Sequence, residues 1–127
     1  MSDSPFLHAL LTCDQVIMDA NRGKWSAISI FSEIASPSFP ATHPSMDVLA
    51  VVGDMPKMGT ITVSMNSPGG VAIATESKPF EVPDQTKAVE LGVPFRMLAL
   101  ALPGRYSVSV HVNDQLVGER AVWVRKV

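Results

Sequence analysis

The sequence predicts an all-β protein, an antiparallel sandwich of about seven or eight short strands. Three observations carry that expectation. Apolar and polar residues alternate strictly in segments such as RYSVSVHV (105–112), the two-residue period of a strand with one buried face. Ten prolines and eight glycines fall mostly between such segments, and turn signals recur every ~8 to 12 residues. No segment sustains the 3.6-residue period of a long amphipathic helix.

Each element follows in chain order. Residues 7–19 read as extended, with Leu11, Cys13 and Ile17 on one face and Thr12, Asp14, Val16 and Met18 on the other. DANRGK supplies a turn in which Asn21 and Gly23 are best suited to positive φ. WSAISIF then resumes the alternation, giving a hairpin of residues 11–19 against 24–31. SPSFPATHPS (36–45) holds three prolines without periodicity and reads as a loop or an extended edge crossing between sheets. MDVLAVVGD is a strand, MPKM a turn, and GTITVSM a strand with Ile61, Val63 and Met65 inward. NSPGG is a tight turn and VAIATES its partner strand. Residues 78–90 are polar and interrupted by proline, and read as a loop ending in a brief helical turn. The Leu and Met content of VPFRMLALAL suits a helix, but Pro94 and Pro103 make a strand the better expectation. In 105–112, Tyr106, Val108, Val110 and Val112 point inward and Arg105, Ser107, Ser109 and His111 toward solvent; ND is a two-residue turn, and LVGERAVWV returns.

LPGRYSVSV sharpens the architecture. A Pro-Gly corner followed by a tyrosine at a strand start matches the tyrosine corner of immunoglobulin-like sandwiches, in which the phenol bonds to nearby backbone. Tyr106 would fill that role. Cys13 is the one cysteine, so no internal disulfide forms, and the comparison is with disulfide-free sandwiches. The whole chain, 1–127, reads as one domain. A formal charge of −2 with dispersed Lys and Arg gives no footprint for nucleic acid or an anionic membrane. LLTC resembles the end of a lipoprotein signal, but the residues before it lack a basic region and a long apolar core, so cytoplasmic residence is expected.

Candidate chemistry is sparse. Cys13 lies mid-strand, where a thiol is expected to be a buried packing group rather than a nucleophile. His8, His43 and His111 are isolated, with no metal-ligand spacing, so neither metal nor cofactor is expected. Trp25 and Trp123 are flanked by strand residues and expected in packing. Asp14 and Lys24 look placed to bond to one another and fasten the first hairpin, which makes Cys13, Asp14, Lys24, Trp25 and Tyr106 the expected structural residues. Recognition is expected in two loops: Phe39, Pro40 and His43 in the proline-rich segment, and Met55 and Met58 in GDMPKMG, both methionines taken as exposed.

CDQVIMD, GKWSAISIF, FPATHP, the SPGG hairpin and LPGRYSVSVHVND, taken in that order, resemble a group of short bacterial proteins classed as a domain of unknown function. The resemblance spans roughly residues 7–124. It implies a sandwich fold and brings no catalytic residues. The expected function is therefore a non-enzymatic interaction or structural module, binding a protein partner or itself through an edge strand or the proline-rich loop. The alternative is a small ligand-binding protein or enzyme that uses the Cys13, Asp14 and Lys24 region.

Overall fold

A computed structural model describes residues 4–127. Nine strands follow one another: β1 (Phe6–Asp19), β2 (Lys24–Ile30), β3 (Glu33–Ser36), β4 (Ala41–Gly53), β5 (Met58–Asn66), β6 (Ala72–Glu81), β7 (Val89–Leu100), β8 (Gly104–Val112) and β9 (Gln115–Lys126). They form two sheets, β2-β1-β4-β7 and β3-β9-β8-β5-β6. All pairs are antiparallel except β3 with β9.

The period-two segments place one continuous core between the sheets. Met46, Val48, Ala50 and Val52 of β4 and Val93 and Phe95 of β7 pack toward Ile61, Val63 and Met65 of β5 and Tyr106, Val108, Val110 and Val112 of β8. Removing these side chains from water is the main force holding the two layers together. The turn between β8 and β9 is Asn113–Asp114, with φ of 49° and 68°. Two consecutive left-handed residues make the hairpin turn whose twist matches the flanking strands. The Asn113 Oδ1 also accepts the Thr60 N–H at 2.9 Å, which ties this turn to β5. Tyr106 is buried, and its hydroxyl donates to the Leu102 carbonyl at 2.8 Å across the corner that enters β8. That geometry is the tyrosine corner.

Several details differ from the sequence expectation. The ninth strand is β3, four residues that pair in parallel with β9 and were too short to show a period. Residues 41–45, expected as a loop or an extended edge crossing between sheets, form the start of β4 and pair with β7. Pro44 fits there because β1 pairs with β4 only from Asp47 onward, which leaves one side of the preceding segment without a neighbour. Residues 78–81 and 89–90 likewise extend β6 and β7. The intervening turn is not helical: Asp84 Oδ1 accepts both the N–H and the hydroxyl of Thr86, and these bonds hold its carboxyl below the usual range.

The first hairpin does more than extend a sheet. Pairing of β1 with β4 ends at Cys13 opposite Asp47, whereas pairing with β2 continues to Asp19 opposite Lys24. Residues 14–19 and 24–29 therefore form a two-stranded arm that leaves β4. Ser29, beside Asp14 in the register, has φ of 57°, which breaks the regular pleat where the arm begins. The arm then lies across the outer face of the four-stranded sheet. A Cβ placed on Gly92 would sit 2.7 Å from Trp25 Cζ3 and 3.1 Å from Val16 Cγ1. The neighbours of Gly92, Leu91 and Val93, pack into the core, so Gly92 faces outward, and its missing side chain is the space the indole occupies.

Candidate functional site

Asp47 fastens the arm to the sheet. The carboxylate accepts the Val16 N–H at 2.9 Å through Oδ2 and the Arg96 guanidinium at 2.7 Å through Oδ1. Val16 belongs to the arm, Arg96 to β7 and Asp47 to β4, so one buried side chain joins three strands. The one signal in DVLAVV is an acidic residue opening a fully apolar run, and it is weak because a strand aspartate is ordinarily solvated.

Cys13 is fully buried beside it, its thiol directed at the carbonyls of Gln15 and Asp47 at 3.4 and 3.5 Å. Burial, and then the Asp47 carboxylate, push the thiol above its usual range. The neutral thiol is the stable form, which disfavours a nucleophilic role. The sign of the pH dependence follows. A raised folded value means that the contribution of Cys13 is whole below about pH 9 and is lost as pH rises from there toward the folded value. Urea melts should show an alkaline loss of stability in the native chain that is reduced in Cys13→Ala, and a thiol probe should label the folded chain slowly until denaturant is added. Equal alkaline loss in both proteins, or fast labelling of the folded chain, would contradict this account.

The outer strand of the arm is β2, at one edge of its sheet. Its backbone edge borders no other strand among the described residues, and Ile28 and Ile30 are 43% and 56% exposed, near Ile17 of β1 at 41%. The other three edges are blunted. β3 is four residues long, β6 carries Lys78 and Pro79, and β7 carries Pro94, Arg96 and Met97, the last with φ of 52°. Short strands, prolines, charges and irregular backbone are the devices that keep sheet edges from pairing with other chains. β2 has no proline, and its one charged residue is Lys24 at the far end.

At the base of the arm a cleft of about 310 Å³ is lined by Asp14, Ser29, Ile30, Phe31, Glu33, Ile34, Ala35 and His43. It forms where the chain crosses from β2 to β3: the Phe31 N–H donates to the Thr12 carbonyl, and the Thr12 hydroxyl donates to the Phe31 carbonyl. Glu33 is paired with Arg125. His43 stands edge-on to Phe31, with ring centroids 5.9 Å apart, and its Nε2 is shielded from solvent without a hydrogen-bond partner.

The residues singled out from sequence are thus dispersed. Asp14 and Lys24 do not meet: Lys24 sits opposite Asp19 at the far end of the arm, and Asp14 opens on the cleft. Trp25 packs on Gly92 as expected of a packing residue, but Trp123 is 42% exposed, with the Arg125 guanidinium over its ring at 5.6 Å. Met55 is not a surface contact; it is buried in the core, whereas Met58 is exposed. Phe39 packs partly against the core, preceding Pro40 through a cis peptide bond. Ser109, expected in solvent, is buried beneath Asn66, whose amide donates to the hydroxyls of Ser107 and Ser109. No group of three or more His, Cys, Asp or Glu among the described residues is arranged to hold a metal ion. No helix among them is long and apolar enough to cross a membrane.

Two sheets closing on one core, a tyrosine corner and no disulfide define an immunoglobulin-like β-sandwich. An immunoglobulin-like protein from Pseudomonas aeruginosa shares the fold, with a TM-score of 0.50 at 11% identity over 96% of this chain and 97% of that one. The chain belongs to the family of unknown function DUF6941, which matches residues 8–125. It is also similar in fold to part of the Pseudomonas fluorescens alkylpurine DNA glycosylase AlkC, solved bound to DNA containing an abasic site analog, with a TM-score of 0.55 at 11% identity. That match covers 95% of this chain, which spans only 30% of the glycosylase structure. No curated protein sequence matches.

Proposed function

We propose that this chain is a non-enzymatic interaction module that recruits another protein by strand addition to the open edge of β2. One observation carries the reading. Of the four sheet edges, β2 alone among the described residues is longer than four residues and free of proline, its one irregular residue being Ser29, and it carries the exposed Ile28 and Ile30. An added strand would gain main-chain hydrogen bonds from the edge and bury those side chains. The buried thiol of Cys13 and the separation of Asp14 from Lys24 favour this over chemistry in the opening stretch. A thiol kept reduced in a core also suits the cytoplasm.

The test is selection of random peptides on the immobilised chain. Enrichment of extended, apolar-alternating peptides whose binding is abolished by Ile28→Lys and unaffected by Val71→Lys, at an exposed position away from β2, is the expected result. Peptides that ignore Ile28→Lys would reject the β2 edge.

A further inference from the structure

We infer that the cleft at the base of the arm is a specificity pocket for a lysine or arginine side chain carried by the extended segment that adds to β2. This rests on the strand-addition reading and goes further, by assigning the chemistry of the partner. The φ of 57° at Ser29 interrupts the alternation of β2, so that Ser29 and Ile30 both line the cleft while Ile28 lies outside it. Ser29 is a cleft residue, and Asp14, beside it in the register, is another. A segment laid along the edge therefore presents an apolar residue opposite Ile28 and, where it passes Ser29 and Ile30, one side chain directed at the cleft.

The lining selects what that side chain is. Phe31, Ile34 and Ala35 give the cleft apolar walls that suit a methylene stem. The polar groups attract positive charge: the Asp14 carboxylate, which makes no ion pair among the described residues, and the Glu33 carboxylate, which shares its charge with Arg125. His43 adds a ring nitrogen that lacks a partner and is closed off from solvent. A cationic head on a flexible stem satisfies the free carboxylate. An acidic side chain would meet two carboxylates, and an apolar one would leave Asp14 unpaired under the added strand, where the lost hydration is not replaced. The volume of about 310 Å³ accommodates one long side chain, not a folded partner.

The experiment uses the full chain and labelled five-residue peptides, Thr-Val-X-Val-Thr, with X lysine, arginine, norleucine or glutamate, read by fluorescence anisotropy. The lysine and arginine peptides should bind about tenfold tighter than norleucine, and glutamate weakest. In Asp14→Asn the advantage of lysine over norleucine should shrink to about twofold while norleucine binding is unchanged; raising salt should narrow the gap in the native chain. Asp14 is exposed, so the substitution leaves the core intact. If all four peptides bind alike and Ile28→Lys abolishes them, the cationic pocket is overturned and strand addition stands. If none binds and light scattering shows a dimer that Ile28→Lys dissociates, the occupant of the edge is a second copy, and the pocket assignment fails. If none binds and the chain is a monomer, both readings fall.

Discussion

Asp47→Ala is expected to destabilise the fold by about 3 kcal/mol, a large share of the total for a chain of this size. The magnitude is built from separate losses. The Val16 N–H, bonded at 2.9 Å to Oδ2, loses its acceptor in a partly buried setting, which costs ~1–3 kcal/mol. Arg96 loses its ion pair, but its side chain is 53% exposed, so water replaces much of the carboxylate and this loss is small. The cavity left under the arm adds to both. Asp47→Asn should cost less, because the amide oxygen still accepts from Val16. Urea denaturation gives the stabilities, and amide exchange locates the effect: protection should fall at Val16 and along residues 14–19 before it falls in β5 or β8. A loss below about 0.5 kcal/mol with unchanged Val16 protection would show that Asp47 does not hold the arm.

How far the sequence disclosed this molecule depends on the physical origin of each feature. The alternation in β5 and β8, the left-handed Asn113–Asp114 turn and the bond from Tyr106 to Leu102 are local in cause, and all three are readable from adjacent residues. The hairpin of β1 and β2 was equally legible, with its turn at Gly23, φ 65°. Its bend was not. Which face of a strand is buried is set by what packs on it from elsewhere, and the Trp25 contact with Gly92 joins residues 67 positions apart. The same reason explains Met55, whose side chain enters the core from a segment rich in turn residues. It also explains Cys13 and Thr12, adjacent residues that are both fully buried because the arm covers one side of the sheet while the core lies on the other. An alternation argument can assign only one of them inward. In the candidate site, His43 was singled out, but its cleft neighbours Ser29 and Glu33 were not, since they converge only through the crossing from β2 to β3.

Gly92→Ala, a change that adds one methyl group, is expected to destabilise the protein by about 2 kcal/mol through the arm alone. The new Cβ would lie 2.7 Å from Trp25 Cζ3, 3.1 Å from Val16 Cγ1 and 3.3 Å from Trp25 Cη2. All three separations are shorter than the ~3.5–4.0 Å at which carbon atoms rest. An indole is a rigid plate that cannot give way by rotating a terminal methyl, so relief requires the arm to lift. Lifting it lengthens the bond from Val16 to Asp47 and exposes apolar surface at Leu49 and Cys13, which are now covered. The readout is specific if Trp123 is first replaced by Phe: the remaining Trp25 emission should shift to the red in Gly92→Ala, and Cys13 should label faster in the folded state. The double variant Gly92→Ala with Trp25→Leu should recover part of the lost stability, because the smaller, flexible side chain frees the space the methyl needs. Unchanged emission and unchanged labelling would mean that the indole does not rest on Gly92. A red shift without faster labelling would mean that Trp25 moves alone and the arm stays seated on Asp47. In neither case is the edge of β2 altered at Ile28, which is exposed on the face of the arm opposite Trp25.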